Sequence, residues 1–359
     1  MISSMNCFES LDSLKTELEH SLKYNGIVLL DEPIAPKTTF KIGGNAPLYC
    51  EPKDFNSLIF LIATLKEKNI PHFILGLGSN VVVSDKGFDG AVICTSRLSA
   101  IETIPVPIIE SAEPATLLSS DANAKRLSKE SQESKGTQYE KNIPHPIDVS
   151  CESGTSIASF VNFCKKNAIA NAEEFAGLPG SVGGAVYMNA RCFDKSISDI
   201  LKSVFFLNMQ TLKTETYLFS ASDWDYKKSP FQKKDAVILR ATFSLVKHDA
   251  QKERIAEKCR TYIQQRVEKG HFEFPSAGSV FKNNRDFKSP SGKLIDECGL
   301  CGLKIGGAQI APWHGNFIIN TGNACAKDVR ALVELIANEV KKQKGFELSP
   351  EIIFCGKEV

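Results

Sequence analysis

Between residues 177 and 185 the chain reads Gly-Leu-Pro-Gly-Ser-Val-Gly-Gly-Ala, a run that suits neither a helix interior nor a central strand. Glycine loses the most backbone freedom on ordering, and Pro179 has no N–H to give to a ladder. Such a run supports a tight turn with left-handed backbone, or a place where main-chain N–H groups come close to an anion. Leu75-Gly-Leu-Gly-Ser-Asn-Val81, directly after an apolar strand, poses the same choice, with Ser79 and Asn80 as added donors. A third segment, Gly43-Gly44-Asn45-Ala46, lies upstream. Each alone reads as a turn; three together point to a large phosphate-bearing ligand. None matches the G-x-G-x-x-G fingerprint or a Walker loop, so a dinucleotide site built from them is of a non-Rossmann kind.

The chain of 359 residues exceeds one ordinary core, so two or three domains are expected. A formal net charge of +1 argues against a surface that coats nucleic acid, which needs a clear basic excess. No apolar run is long enough to cross a bilayer, and Met1 to Asn6 lacks a basic patch followed by an apolar stretch. The expectation is a cytoplasmic protein. The eleven cysteines are odd in number and sit mostly among apolar neighbours, as reduced thiols do. Cys298-Gly-Leu-Cys301 is half a zinc or redox pattern without a partner, and reads better as two core thiols; no metal site is expected.

Helical and strand periods alternate along the chain. A helix is expected over Leu11 to Leu22 and a strand at Ile27 to Leu30, then an amphipathic helix with Phe55, Leu58, Ile59, Ile62 and Leu65 on one face. Strands are expected at His72 to Leu77, Ile147 to Ser150, Val204 to Asn208, Thr214 to Leu218 and Val237 to Leu245, with a helix over Ser156 to Lys166. Residues 110–143 are polar, serine-rich and aperiodic, and read as a disordered surface insertion. A helix bearing Ile255, Cys259, Tyr262 and Arg266 opens a second domain. A helix through Val329 and Val340, ended by Gly345, and a strand Glu351 to Phe354 close it. The fold class is α+β.

Several segments, in order, resemble the UDP-N-acetylenolpyruvoylglucosamine reductase family. They are Thr39-Phe-Lys-Ile-Gly-Gly-Asn-Ala46, Gly76-Leu-Gly-Ser-Asn80, Gly177 to Ala185, Pro275-Ser-Ala-Gly-Ser-Val-Phe-Lys-Asn283, Leu294-Ile-Asp296, Lys304-Ile-Gly-Gly-Ala308 and Ser349-Pro-Glu-Ile352. The spacing is similar to the shorter variant of that family, without its substrate-covering tyrosine loop. The resemblance implies an FAD-binding domain of the vanillyl-alcohol-oxidase (PCMH) type and a smaller C-terminal α+β substrate domain. The boundaries are an N-terminal extension 1–30, a flavin part 31–247 and a substrate part 248–359. It implies noncovalent FAD, NADPH as co-substrate, UDP-N-acetylglucosamine enolpyruvate as substrate, no nucleic-acid or membrane partner, and a monomer.

Residue by residue, the resemblance assigns proton donation to Ser279 and a catalytic carboxyl to Glu351. A turn serine and a strand-edge glutamate are the plain alternatives. FAD would be held by Lys41, Gly43, Gly44, Asn45 and Ala46, by Gly76, Gly78, Ser79 and Asn80, and by Pro179, Gly180, Ser181, Gly183, Gly184 and Ala185. Substrate would meet Asn189, Tyr226, Arg266, Lys282, Asn283 and Gln309, although Arg266 could equally snorkel at the surface. Three positions depart from the family pattern. Lys227 stands in Tyr226-Lys227-Lys228-Ser229 where arginine is usual, which keeps charge but loses the planar fork. Arg191 stands where glycine is usual, either as a solvated loop arginine or as a partial substitute for the missing guanidinium. Asn284 replaces a proline. Two competing readings are a flavin oxidase on the same scaffold and an inactive flavin- or nucleotide-binding descendant.

Overall fold

The computed structural model describes residues 4–106 and 144–357; the whole polar stretch 110–143 therefore lies outside the described residues, and its expected disorder with it. Helices and sheets mix throughout, as the α+β expectation requires. A four-stranded sheet runs in the order Gly26–Pro33, Asn45–Pro52, Ala91–Cys94, His72–Leu75, antiparallel at the first pairing and parallel at the others. Helix Phe55–Glu67 packs on it, its start fixed by Asp54, whose Oδ1 accepts the Ser57 N–H at 2.8 Å. The N-terminal segment is no loose extension. Leu11, Leu14 and Leu18 are buried in this sheet's core beside Leu48 and Leu58, and Gly26–Pro33 is its edge strand.

A second, six-stranded sheet centres on the long strand Ala236–Lys247, flanked by Leu201–Asn208 and His145–Glu152. Its core takes Phe160, Val161 and Cys164 from helix Ile157–Lys166, capped by Ser156 Oγ at 2.9 Å from the Ser159 N–H. Cys259 from helix Lys252–Glu268 joins that same core. The helix that the sequence makes the start of a second domain is thus packed against the first. Its hydrophobic stripe is satisfied by the nearest preceding sheet.

The C-terminal part is an antiparallel sheet, Ser276–Ser279, Phe317–Asn320, Ala308–Ile310, Lys304–Ile305, covered by helix Ala326–Lys344. Gly345 ends that helix at φ 76°, the left-handed cap expected from sequence. Asp85, far back in the chain, accepts the Ala326 and Lys327 N–H groups at 2.7 and 3.1 Å. The last strand, Ile353–Cys355, leaves this part and pairs in parallel with Val81–Val83. Cys298 and Cys301 are unpaired and half-buried beside the turn glycines 299 and 302, and Cys298 packs against the C-terminal core. Among the described residues no helix is long and apolar enough to span a membrane.

Candidate active site

A cleft of about 2010 Å³ opens where the three sheets meet. Two of the glycine segments form one wall, and they need glycine because they touch. A methyl group on Gly76 would sit 2.4 Å from Ser181 Oγ, and one on Gly180 would sit 2.5 Å from Ser79 Oγ. The two segments use their amides differently. From residue 182 onward the second spends them internally: Val182 N–H on Thr155 O, Gly183 N–H on Ser153 O, Gly184 N–H on Ser181 Oγ. In the first, the N–H groups of Gly76, Leu77, Gly78, Ser79 and Asn80 donate to no acceptor among the described residues. Buried or half-buried amides are rarely left so, and five in a row on a cleft wall suit an anion.

The third segment is not on that wall. Gly43 adopts φ 137° against Val83, and a methyl on Gly44 would lie 2.3 Å from Asp85 O. Lys41 Nζ donates to Pro36 O at 2.9 Å, Asn45 to Asp31, and Ala46 is fully buried in a strand. This corrects the expectation for Lys41, Gly43, Gly44, Asn45 and Ala46. Their glycines let one backbone cross another, and Thr39 alone of that stretch reaches the cleft.

Opposite the glycine wall, Lys227 Nζ meets Glu351 Oε1 at 2.6 Å, with the side chains 13% and 9% exposed. Glu351 is set by backbone from both sides. Its N–H donates to Val280 O at 2.7 Å, its carbonyl accepts from Asn80 Nδ2 at 3.1 Å, and Lys282 N–H donates to Ser349 O at 2.9 Å. Ser279 immediately precedes Val280, follows Gly278 at φ 76°, and pairs across the sheet with Phe317. Ser279, Lys227, Glu351 and Lys282 therefore share one cleft.

Other expected residues divide by what they already hold. Asn189 lines the cleft, but its amide is engaged by Asp225 O at 2.9 Å and by the Ser198 N–H at 3.2 Å. Asn283 Oδ1 accepts the Ser291 N–H, while Tyr226 is half-buried and lines the cleft. Arg191 also lines the cleft, its guanidinium 3.2 Å from Asp194 and 3.5 Å from Ser196 Oγ. Gln309 is not brought there. Its amide donates to Gly302 O at 2.9 Å within the C-terminal sheet. Arg266 does not snorkel; it is 7% exposed, donates to Cys192 Sγ and lies 5.5 Å from the Phe193 ring centre. Gly177 makes room for it, since a methyl there would be 2.9 Å from Arg266 Cδ.

Lys269 and His271 are among the lining residues that were not anticipated. Lys269, three residues after Arg266 and so one helical turn along, was legible from that spacing. His271 lies next to it, its ring stacked on Phe317 at 4.9 Å. Burial first, then the charges of Arg266, His314 and Lys269, push its pKa down from 6.5 to about 4. The imidazole is thus neutral in the folded protein while the unfolded chain takes up the proton below 6.5. Its contribution to stability is complete above pH 6.5 and declines as pH falls toward 4. Thermal melts of His271→Phe, which keeps a flat ring on Phe317, should drop less between those pH values than those of the parent. Equal slopes would refute the assignment.

A family model for the C-terminal domain of UDP-N-acetylenolpyruvoylglucosamine reductase matches residues 249–355. A UDP-N-acetylenolpyruvoylglucosamine reductase of Treponema denticola is 42% identical over 343 residues, 92% of this chain and 94% of the relative. One from Borreliella burgdorferi is 36% identical, covering 94% and 98%. Among solved structures, the enzyme of that name from Thermus caldophilus superposes with a TM-score of 0.65 at 25% identity, covering 92% of this chain and 99% of that one.

Proposed function

The chain belongs to the UDP-N-acetylenolpyruvoylglucosamine reductases, oxidoreductases of peptidoglycan precursor synthesis, and from that premise we propose how it works. It reduces UDP-N-acetylglucosamine enolpyruvate to UDP-N-acetylmuramate with NADPH, through noncovalent FAD, as a cytoplasmic monomer. One observation carries this reading: a serine hydroxyl and a buried lysine–carboxylate pair open onto the same cleft as a run of unpaired amides.

The residues present fit FAD. Its pyrophosphate needs donors that nothing else has claimed, and the backbone amides of 76–80 with the Ser79 hydroxyl would supply them; the segment Pro179 to Ala185 closes the wall from the other side. FAD held there would supply hydride chemistry, drawn from NADPH, for reduction of the enol ether at its terminal carbon. The protein's own residues handle the charge that results on the adjacent carbon and its carboxylate. Lys227, aligned by Glu351, holds that carboxylate with a charge-assisted bond in a site largely shielded from water. Ser279 gives its proton to the carbon, and Lys282, three residues past the strand end with its backbone tied to Ser349, adds positive potential nearby. With Lys227 Nζ already on Glu351 Oε1, the part of Glu351 is to orient the ammonium. Arg191 remains a candidate for partial replacement of a guanidinium; steady-state constants of Arg191→Ala that equal the parent's would end that idea.

The division at 247/248 is supported by the family match beginning at 249, although helix Lys252–Glu268 packs on the preceding sheet. For the cofactor wall, Gly180→Ala is the direct probe. It forces a side chain onto φ 114° and toward Ser79, a strain of about 1–3 kcal/mol before any clash. The variant should purify with at least about tenfold weaker flavin retention; parental flavin content would exclude this wall. The reaction itself is tested anaerobically. NADPH should bleach the yellow protein, and the UDP-linked enolpyruvyl sugar should restore the colour; bleaching without recovery would leave a flavoprotein of different substrate.

A further inference from the structure

Ser279 reaches the cleft from a strand that is already leaving its ladder. The register between Ser276–Ser279 and Phe317–Asn320 shifts just before it. Gly278 turns there at φ 76°, with nothing within 4 Å of the place a side chain would occupy. The Ser279 hydroxyl bonds to no described group, so backbone alone sets its aim, and the upstream side offers no contact to set it. The downstream side is held without a gap. Val280 N–H donates to Asn316 O at 2.9 Å, and Val280 O accepts the Glu351 N–H at 2.7 Å. Phe281 N–H donates to Asn316 Oδ1 and Phe281 O accepts from Asn316 Nδ2, both at 2.8 Å. Lys282 N–H donates to Ser349 O at 2.9 Å, and Lys282 O accepts from Ser291 Oγ at 2.8 Å. Half of these bonds end on Asn316. That residue is 4% exposed, does not line the cleft, and directly precedes the strand Phe317–Asn320. Its own N–H donates to His314 Nδ1 at 3.2 Å, and Gly292 packs against it, where a methyl would lie 3.3 Å from Asn316 Cβ.

We propose that Asn316 is a positioning residue of the reaction: one buried amide outside the cleft aims the Ser279 hydroxyl and, through Val280, seats the Glu351 that aligns Lys227. The inference rests on the roles given to Ser279 and Glu351 above. A primary amide in the interior is costly unless its donor and acceptor are both used. Here they are spent on the two polar groups of a single residue, Phe281, which the ladder has just released. The side chain thus stands in for a neighbouring strand where none continues. Two bonds from one planar group fix orientation as well as distance. Glu351 hangs on the far edge of the same segment, its N–H on Val280 O. The proton donor and the carboxylate that orients Lys227 therefore share one anchor, and displacing it moves both.

The test uses the full-length holoenzyme with Asn316→Ala, which strands both groups of Phe281, and Asn316→Asp, which keeps the size and the acceptor but gives up the amide donor. If Asn316→Ala does not yield folded protein, Asn316→Asp carries every reading. NADPH should bleach the variants at the parental rate. Reoxidation by the UDP-linked enolpyruvyl sugar should slow about 10²-fold, the effect of a misplacement of about 1 Å, with the loss on kcat rather than KM. In a Ser279→Ala background, Asn316→Asp should add no more than about tenfold, the share that runs through Glu351, since coupled changes do not simply add. Amide hydrogen exchange is read in parallel. The Glu351 N–H, which Asn316 does not touch, should exchange about fivefold faster in Asn316→Asp, near the worth of one hydrogen bond. Equal slowing of both half-reactions overturns the proposal and leaves Asn316 a residue of stability alone; so does the full loss repeated in the absence of Ser279. If the sugar fails to reoxidise the parent, the functional reading falls by itself. Exchange then decides the anchor: an unchanged Glu351 N–H overturns it, and a quickened one sustains it.

Discussion

Replacing Ser279 by alanine should cut turnover by about 10²- to 10⁴-fold, the usual contribution of a positioned general acid, while leaving NADPH able to bleach the flavin at the parental rate. The separation of the two half-reactions follows from where the hydroxyl sits. Ser279 ends a strand whose backbone pairs with Phe317, and its Oγ makes no hydrogen bond to any described group. Its loss therefore removes a proton source without removing a structural contact, and stability should stay within about 0.5 kcal/mol. Ser279→Cys, which returns a dissociable proton at nearly the same place, should recover part of the rate. Stopped-flow traces of each half-reaction decide the matter. If the alanine variant reoxidises with the sugar substrate within a few-fold of the parent, the proton comes from elsewhere.

The second large effect is expected at Lys227, and there stability and activity should fall together. Lys227→Ala leaves Glu351, 9% exposed, without its counter-charge at 2.6 Å. Breaking a buried pair on one side costs about 3–5 kcal/mol, mostly the penalty of the stranded charge. The same change removes the cation assigned to the substrate carboxylate. Lys227→Met combined with Glu351→Gln removes both charges at similar volume, so it should regain much of the stability and none of the turnover. Lys227→Arg keeps the charge and adds a planar fork, and should remain folded. Urea unfolding beside steady-state kinetics reads both quantities. A parental unfolding midpoint for Lys227→Ala would show that the pair is solvated in solution and carries little.

How far the sequence reached depended on whether a residue's requirement was local. Gly345 was legible as a helix cap because a glycine directly after a basic last turn lets the chain leave the helix through left-handed backbone at no steric cost. The edges of helix Phe55–Glu67 were legible from its apolar stripe and from the Pro that follows it. Glycine that makes room for a ligand and glycine that makes room for another strand look the same in one dimension. Hence Gly76 and Gly180 line the cleft, while Gly43 and Gly44 serve a backbone crossing against Val83 and Asp85. Gln309 was assigned from its motif, yet the hairpin around it had already claimed the amide. The edge strand Gly26–Pro33 and its helix looked like an appendage because their partners, Asn45–Pro52 and the core beyond, come later in the chain. Arg266 was ambiguous for a similar reason. Only Gly177 and Cys192, 89 and 74 residues away, make its pocket.

The bond between Asn80 and the carbonyl of Glu351 spans 271 residues of chain. Closing so long a loop is slow, because the entropy of the intervening chain must be surrendered before the contact returns anything. During synthesis the amide-rich turn at 76–80 exists long before its clasp does, because Glu351 is made 271 residues after Asn80. A ribosome stalled short of Ser349 would hold a chain able to build the floor of the cleft but with no carboxylate to set Lys227. Assembly of the reacting end thus waits on Glu351, and its quality is decided at the moment Ile353–Cys355 finds the strand that begins at Val81.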